Sequence, residues 1–141
     1  MATIAALLQK VQTLNIELVV GETFDETATD LADVNRERML DGVKVDGSIM
    51  PYYSKVSQEK YGYPNAPIKL KDTGDFQAAI VVARQGSILS TDSSDWKTQM
   101  LKERYGLIFG TYGDYKKQYL EDNYRPVFNK KITNATGLKF K

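Results

Sequence analysis

The run Phe76-Gln77-Ala78-Ala79-Ile80-Val81-Val82-Ala83 limits most what this chain can become. It is the stretch that most needs cover from solvent, and the other elements have to supply that cover. A change of direction precedes it at Thr73-Gly74, since Gly reaches positive φ at no steric cost. The run reads as a strand, joined through a turn at Gln85-Gly86 to a second strand at Ser87–Ser90. Its opening, Gln77-Ala78-Ala79, is equally a helix-forming sequence.

Helical spacing supplies the cover. Ile4, Leu7, Leu8, Val11 and Leu14 recur at three- to four-residue intervals and predict a helix over 2–14. Ile16–Val20 is β-branched and reads as a short extended piece that Gly21 breaks. Thr23 and Glu26 have capping-box spacing, so a second helix is expected to start at Thr23 and end near Leu40, before Gly42. Asp46-Gly47 between Val43-Lys44-Val45 and Ser48-Ile49 predicts a hairpin with a tight primed turn. Ser54–Lys60 reads as a short helix in a segment broken by Pro51, Pro64 and Pro67. Several caps among Thr91–Ser94 predict a helix over Asp95–Arg104, with Trp96, Met100, Leu101 and Tyr105 sharing a face. Leu107-Ile108-Phe109 is a short apolar link. Asp114 opens a last helix that buries Tyr115, Tyr119, Leu120, Val127 and Ile132 and that Pro126 should kink or restart. The expectation is an α+β fold, a small antiparallel sheet packed against three to four helices. At 141 residues one domain is expected. It divides into a helical and hairpin part (1–69), a strand–helix core (70–133) and a loose basic tail (134–141).

Composition removes several chemistries. The chain has no Cys and no His, so no thiolate nucleophile, no imidazole base and no Cys- or His-ligated metal is available. Asp41 and Asp46 lack EF-hand spacing and a closing Glu. No Gly-rich phosphate loop and no SxxK is present. The carboxylate pairs Asp72/Asp75 and Asp92/Asp95 sit at turn or cap positions, where Asp is expected for structural reasons. No catalytic, cofactor-binding or metal-ligating residue is therefore assigned, and no cofactor is expected. No apolar run is long enough for a bilayer. The apolar start of the chain has no basic segment before it and reads as a helix, not an export signal.

Two features remain. Residues 1–50 carry a net charge of −5 and residues 51–141 a net charge of +6. A chain with that polarity can attract copies of itself head to tail, and such contacts close into rings when the rotation allows. Tyrosine is the other feature, with nine in the chain. Tyr52, Tyr53, Tyr61 and Tyr63 precede the central run, and Tyr105, Tyr112, Tyr115, Tyr119 and Tyr124 follow it. Tyr suits interfaces, where one end of the side chain is dry and the other wet. Interleaved with Lys116, Lys117, Arg125, Lys130 and Lys131, the same rings would also suit stacking on single-stranded nucleic acid.

Leu70-x-x-Thr73-Gly74-x-Phe76-x-x-Ala79-Ile80, then Ile108-Phe109-Gly110, then Arg125-Pro126-Val127-Phe128 occur in that order. This succession resembles the Leu-x-x-Thr-Gly-x-Leu-x-x-Ser-Ile pattern, aromatic-Gly element and Arg-Pro-x-Phe helix entry of tailed-phage tail-completion (virion-morphogenesis) proteins. Asp41-Gly42, Tyr52-Tyr53-Ser54 and Thr73-Gly74-Asp75-Phe76 are similar to small structural proteins of Bacteroides and crAss-like phages. The likeness covers roughly residues 40–130. It departs in having no His before the aromatic-Gly element and a longer Gly113–Tyr124 helix. It implies a non-enzymatic neck, connector or tail-ring subunit of a virion, assembled in the cytoplasm of a bacterial host. Its partners would be copies of itself in a ring and neighbouring portal, connector or tail proteins, with no membrane. The interface is expected in residues 43–67 and 125–141, with Tyr52, Tyr53, Tyr61, Tyr63, Arg125, Lys130, Lys131 and Phe140 as contact residues. The rival expectations are an accessory protein that contacts DNA through the basic half and a small enzyme with a perturbed carboxylate or Lys in a pocket.

Overall fold

The computed structural model describes residues 3–71, 74–86, 88–111 and 113–138. Its scaffold is one long helix. Helix α1 (Ile4–Thr13) is capped by Thr3, whose hydroxyl accepts the Ala6 N–H at 3.1 Å. Helix α2 (Ile16–Leu40) follows after two residues, and here the sequence expectation fails. Ile16–Val20 is helical and Thr23 is not a cap. Asn15 caps instead, its side-chain oxygen accepting the Leu18 N–H at 3.1 Å. Thr23 lies mid-helix, fully buried, and donates to the Val19 carbonyl one turn back at 2.7 Å. Thr27 does the same to Thr23 at 2.8 Å. A threonine that bonds its own helix in this way needs no other partner in the core. Gly21 does not break the helix. It makes room for the Arg84 guanidinium, which a Cβ at that position would meet at 3.0 Å.

The helix ends where expected. Gly42 takes φ +71°, its N–H bonds Met39 O, and the Val43 N–H bonds Arg38 O. These two bonds form a Schellman motif, which satisfies the last carbonyls. Val43 and Ile49 then pair as an antiparallel bridge around Asp46-Gly47. The turn is not a primed one. Asp46 keeps negative φ, only Gly47 is positive at +86°, and the Gly47 N–H bonds Lys44 O. That pattern is the three-residue loop in which Gly supplies the left-handed position. Asp46 accepts from the Ser48 hydroxyl and N–H, which holds its carboxyl below the usual carboxylate range. Helix α3 (Lys55–Tyr61) runs from a Ser54 cap to Gly62 at φ +71°.

The central run splits. Asp75–Ala78 forms one helical turn, α4, and only Ile80–Gln85 is strand, β1. It pairs antiparallel with β2 (Ile88–Ser93), placing Ile80, Val82 and Arg84 beside Ser93, Thr91 and Leu89. That face packs on α2, while Val81 and Ile88 face outward and are exposed. Of the expected turn and strand residues, Asp72, Thr73 and Ser87 lie outside the described residues. Thr91–Ser93 belong to β2 rather than to a cap, and helix α5 spans Thr98–Tyr105. Trp96 therefore precedes α5 and is 84% exposed, and Met100 is exposed too, so the expected four-residue face is reduced to Leu101 and Tyr105.

The last helical run is continuous but changes pitch. Helix α6 (Gly113–Gln118) passes into a π-helical turn (Tyr119–Tyr124) and then helix α7 (Arg125–Thr136). Pro126 has no N–H and its ring would strike the carbonyl four residues back, so the chain widens there and the Arg125 N–H reaches Leu120 O. Within this run Tyr119 and Ile132 are buried, whereas Leu120 is exposed, against expectation. The expected loose tail is also corrected at its start: α7 continues through Thr136, which is fully buried. Residues 139–141 lie outside the described set.

The fold is thus α+β, a two-stranded antiparallel sheet packed with helices. One core cluster joins Ala32, Met39, Met50, Leu70, Phe76, Ile80 and Ile108. A second joins Leu31, Val34 and Tyr119 on the neighbouring side of α2. The buried Arg38 guanidinium bonds the carbonyls of Val43 (2.5 Å) and Ile108, tying the 43–50 turn to the 107–110 link. Much of the charge polarity is used within the chain. Arg84 grips Asp25 through two bonds of 2.8 and 3.0 Å, and Lys131 reaches Glu26 at 2.6 Å and Glu22 at 3.6 Å. Acidic α2 is thereby buttressed by basic β1 and α7, although solvent screens exposed pairs of this kind and leaves each of them little net stabilisation.

Candidate functional site

Segment 49–71 crosses the outside of the first core cluster, and its prolines and glycine keep it from forming longer elements. Its backbone is nonetheless pinned. Tyr52 pairs with Pro67 in an antiparallel bridge, the Tyr53 N–H bonds Ala66 O, and the Ile68 N–H bonds Pro51 O. Held this way, the segment presents aromatic rings. Tyr53 and Tyr63 stack with centroids 4.5 Å apart and planes within 3°. Tyr61 tilts against Tyr63 at 6.3 Å and carries the Lys60 ammonium 5.2 Å above its ring. The Tyr53 hydroxyl accepts the Lys69 N–H at 3.2 Å, so this ring is fixed in direction as well as stacked. Tyr61 is 64% exposed and Tyr52 57%. Ile49 and Val56 on the same segment are exposed as well.

Behind the stacked pair lies a cleft of about 150 Å³. Tyr53 and Tyr63 form one wall, Leu101 and Tyr105 of α5 line it as well, and Ile68, Leu70 and Phe76 complete the apolar lining. Lys71 and Lys97 are the charged residues that line it. Leu70 is held at φ +54° while buried, a left-handed conformation that costs a branched side chain on the order of 1–2 kcal/mol. The packing of Leu70 into the core compensates that cost and keeps this wall of the cleft in place. Lys97 also lies 5.9 Å over Trp96, the most exposed large apolar side chain among the described residues.

The structure therefore brings Tyr53, Tyr61 and Tyr63 into one cluster, with Tyr52 on the same segment. Arg125, Lys130 and Lys131 lie on α7, which packs on α1 and α2. Arg125 and Lys130 are exposed, but Lys131 is engaged by Glu22 and Glu26 and is an intramolecular contact. Phe140 lies outside the described residues. The cleft residues Leu70, Lys71, Phe76, Lys97 and Leu101, and the outward Trp96, were not among the expected contact residues. Trp96 was missed because helical spacing put it on a face with Met100, Leu101 and Tyr105, whereas α5 starts only at Thr98 and leaves it outside the helix.

The remaining carboxylate pairs are structurally engaged where described. Asp92 accepts from the Lys102 ammonium at 2.9 Å and from the Ser93 N–H, which hold its carboxyl below the usual range. Asp95 accepts the Lys97 N–H at 2.9 Å. Among the described residues no group of three or more His, Cys, Asp or Glu is placed to hold a metal ion. No helix among them is long and apolar enough to cross a membrane. What this surface can do chemically is bury aromatic and apolar area against another macromolecule and meet negative charge at the cleft. Comparison with protein families, with characterised proteins and with solved structures returned no match to this chain.

Proposed function

We propose that the chain is a structural subunit of a phage virion, a neck, connector or tail-ring protein that joins head and tail by protein–protein contacts. The observation that carries this reading is the pinned aromatic segment 52–63. Three tyrosines are fixed against one another there, two of them by close stacking, with exposed apolar neighbours and a lysine-bearing cleft behind them. Rigid aromatics on a well-braced backbone are suited to an interface, because little side-chain freedom is left to lose on association. The succession of motifs similar to tail-completion proteins supplies the virion context and the expectation of a ring of copies.

Native mass spectrometry and negative-stain electron microscopy of the purified full chain test the reading. Rings or higher oligomers of one stoichiometry support it. A chain that stays monomeric, and that retains DNA in a strongly salt-dependent manner, would sink it in favour of an accessory nucleic-acid role.

A further inference from the structure

We propose that the cleft between segment 52–71 and α5 is a socket for the Ile16-Glu17-Leu18 corner of a second copy of this chain. The inference rests on the self-assembling role proposed above and names the contact through which it occurs. At about 150 Å³ the cleft is of the size that accommodates one large apolar side chain or a benzene ring. Its lining is largely apolar, and its charged lining residues are Lys71 and Lys97, of which Lys97 also lies 3.9 Å from the Asp95 carboxylate, so that Lys71 supplies most of the positive charge.

The matching group is on the same chain. At the α1–α2 corner Ile16 and Leu18 are 50% and 57% exposed, and they flank the exposed carboxylate of Glu17. An aliphatic side chain entering the socket would bring Glu17 to the two ammonium groups. Apolar fit and charge therefore agree.

Geometry requires the contact to be between copies. The corner is at the start of α2, while the socket's Leu70 and Phe76 cluster with Met39 at its end. At 1.5 Å per residue these positions are roughly 30 Å apart along the helix. No chain can fill its own socket. Plug and socket are different surfaces, so the contact is head to tail, and it closes into a ring if the rotation per subunit allows.

The test uses the full chain and complementary charge reversal, read by analytical ultracentrifugation. Glu17→Lys alone, and Lys71→Glu/Lys97→Glu alone, should each weaken self-association about tenfold or more. An equimolar mixture of the two should restore it, because each plug then meets a socket of opposite sign. Leu18→Ser should weaken association with no rescue by either partner. Circular dichroism confirms that each variant is folded, and Lys71→Glu alone replaces the double variant if that one is not. Wild-type-like assembly by the single-type variants, or a mixture no better than its components, overturns the socket while leaving the structural role standing. A wild-type chain that never associates overturns both.

Discussion

The two groups of tyrosines, alike in sequence, have opposite fates. In the group after the sheet, Tyr112 lies outside the described residues and Tyr105 lines the cleft, but Tyr115, Tyr119 and Tyr124 each meet something on α2 or at its C-cap. Tyr119 is 3% exposed and shares a 2.7 Å hydrogen bond with the Thr27 hydroxyl. Tyr115 donates to Asp41 at 2.6 Å. Tyr124 tilts onto Phe24 at 4.8 Å and lies nearly parallel to Phe128 at 5.8 Å. The earlier group, Tyr52 to Tyr63, packs among its own members, under Lys60 and along one side of the cleft, and two of its rings remain largely exposed. What separates them is the facing surface rather than the residue type. A helix that offers hydroxyl, carboxylate and ring partners draws tyrosine inward, whereas a proline-broken segment can only brace it outward.

The contrast can be broken most forcefully by truncating one ring from each group. Tyr119→Ala should cost about 3–5 kcal/mol in urea unfolding, because a buried aromatic leaves a cavity and orphans Thr27's contact. Tyr61→Ala should change stability by about 0.5 kcal/mol or less while weakening self-association. Equal losses from the two would erase the distinction.

A smaller effect sharpens it through pH. Burial, and the hydrogen bond to Asp41, push the Tyr115 phenol up to about 12. In the unfolded chain it ionises near 10. The folded state thus holds this proton more tightly, so the contribution is complete below about pH 10 and is lost as pH rises towards 12. Melting temperature should fall over that interval, and Tyr115→Phe should reduce the fall. An unchanged slope would remove Tyr115 from the inward group.

The smallest effect concerns the helix that makes the difference. Gly21→Ala should gain about 1 kcal/mol of helix propensity and lose part of it by displacing the Arg84 guanidinium from Asp25. A net change within about 0.5 kcal/mol is expected by thermal melting. A large loss would mean that Arg84, not backbone preference, sets the path of α2.

Much of this architecture was legible in the letters. Gly42, Gly62 and Gly106 each follow a helix, Ser54 precedes one, and Gly86 sits between strands, although Gln85 belongs to β1, because caps and turns are local chemistry. The start of α2 was not legible. Ile16–Val20 has strand-like residues and Gly21 is a poor helix former, yet the Asn15 cap and the covering Arg84 prevail, and Arg84 is distant in sequence. The buried polar face of Thr23, Thr27, Asn35 and Arg38 was equally hidden, because its partners include Tyr119, Gly110 and Ile108. Of the proposed contact surface, the tyrosines of 52–63 were named from the sequence. The cleft behind them was not, since it forms only when α5 is laid beside segment 52–71.

The π-helical turn has one more implication. In an ordinary α-helix, residues five apart diverge by about 140°, so Tyr119 and Tyr124 would look in different directions. With i→i+5 bonding they come one above the other, their centroids 6.3 Å apart. The chain spells two ladders of four-residue rungs, 115/119 and 124/128/132/136, that are out of step by a single residue. The wide turn acts as a splice between them, absorbing the odd residue so that both ladders climb the same wall, and Pro126 marks the seam.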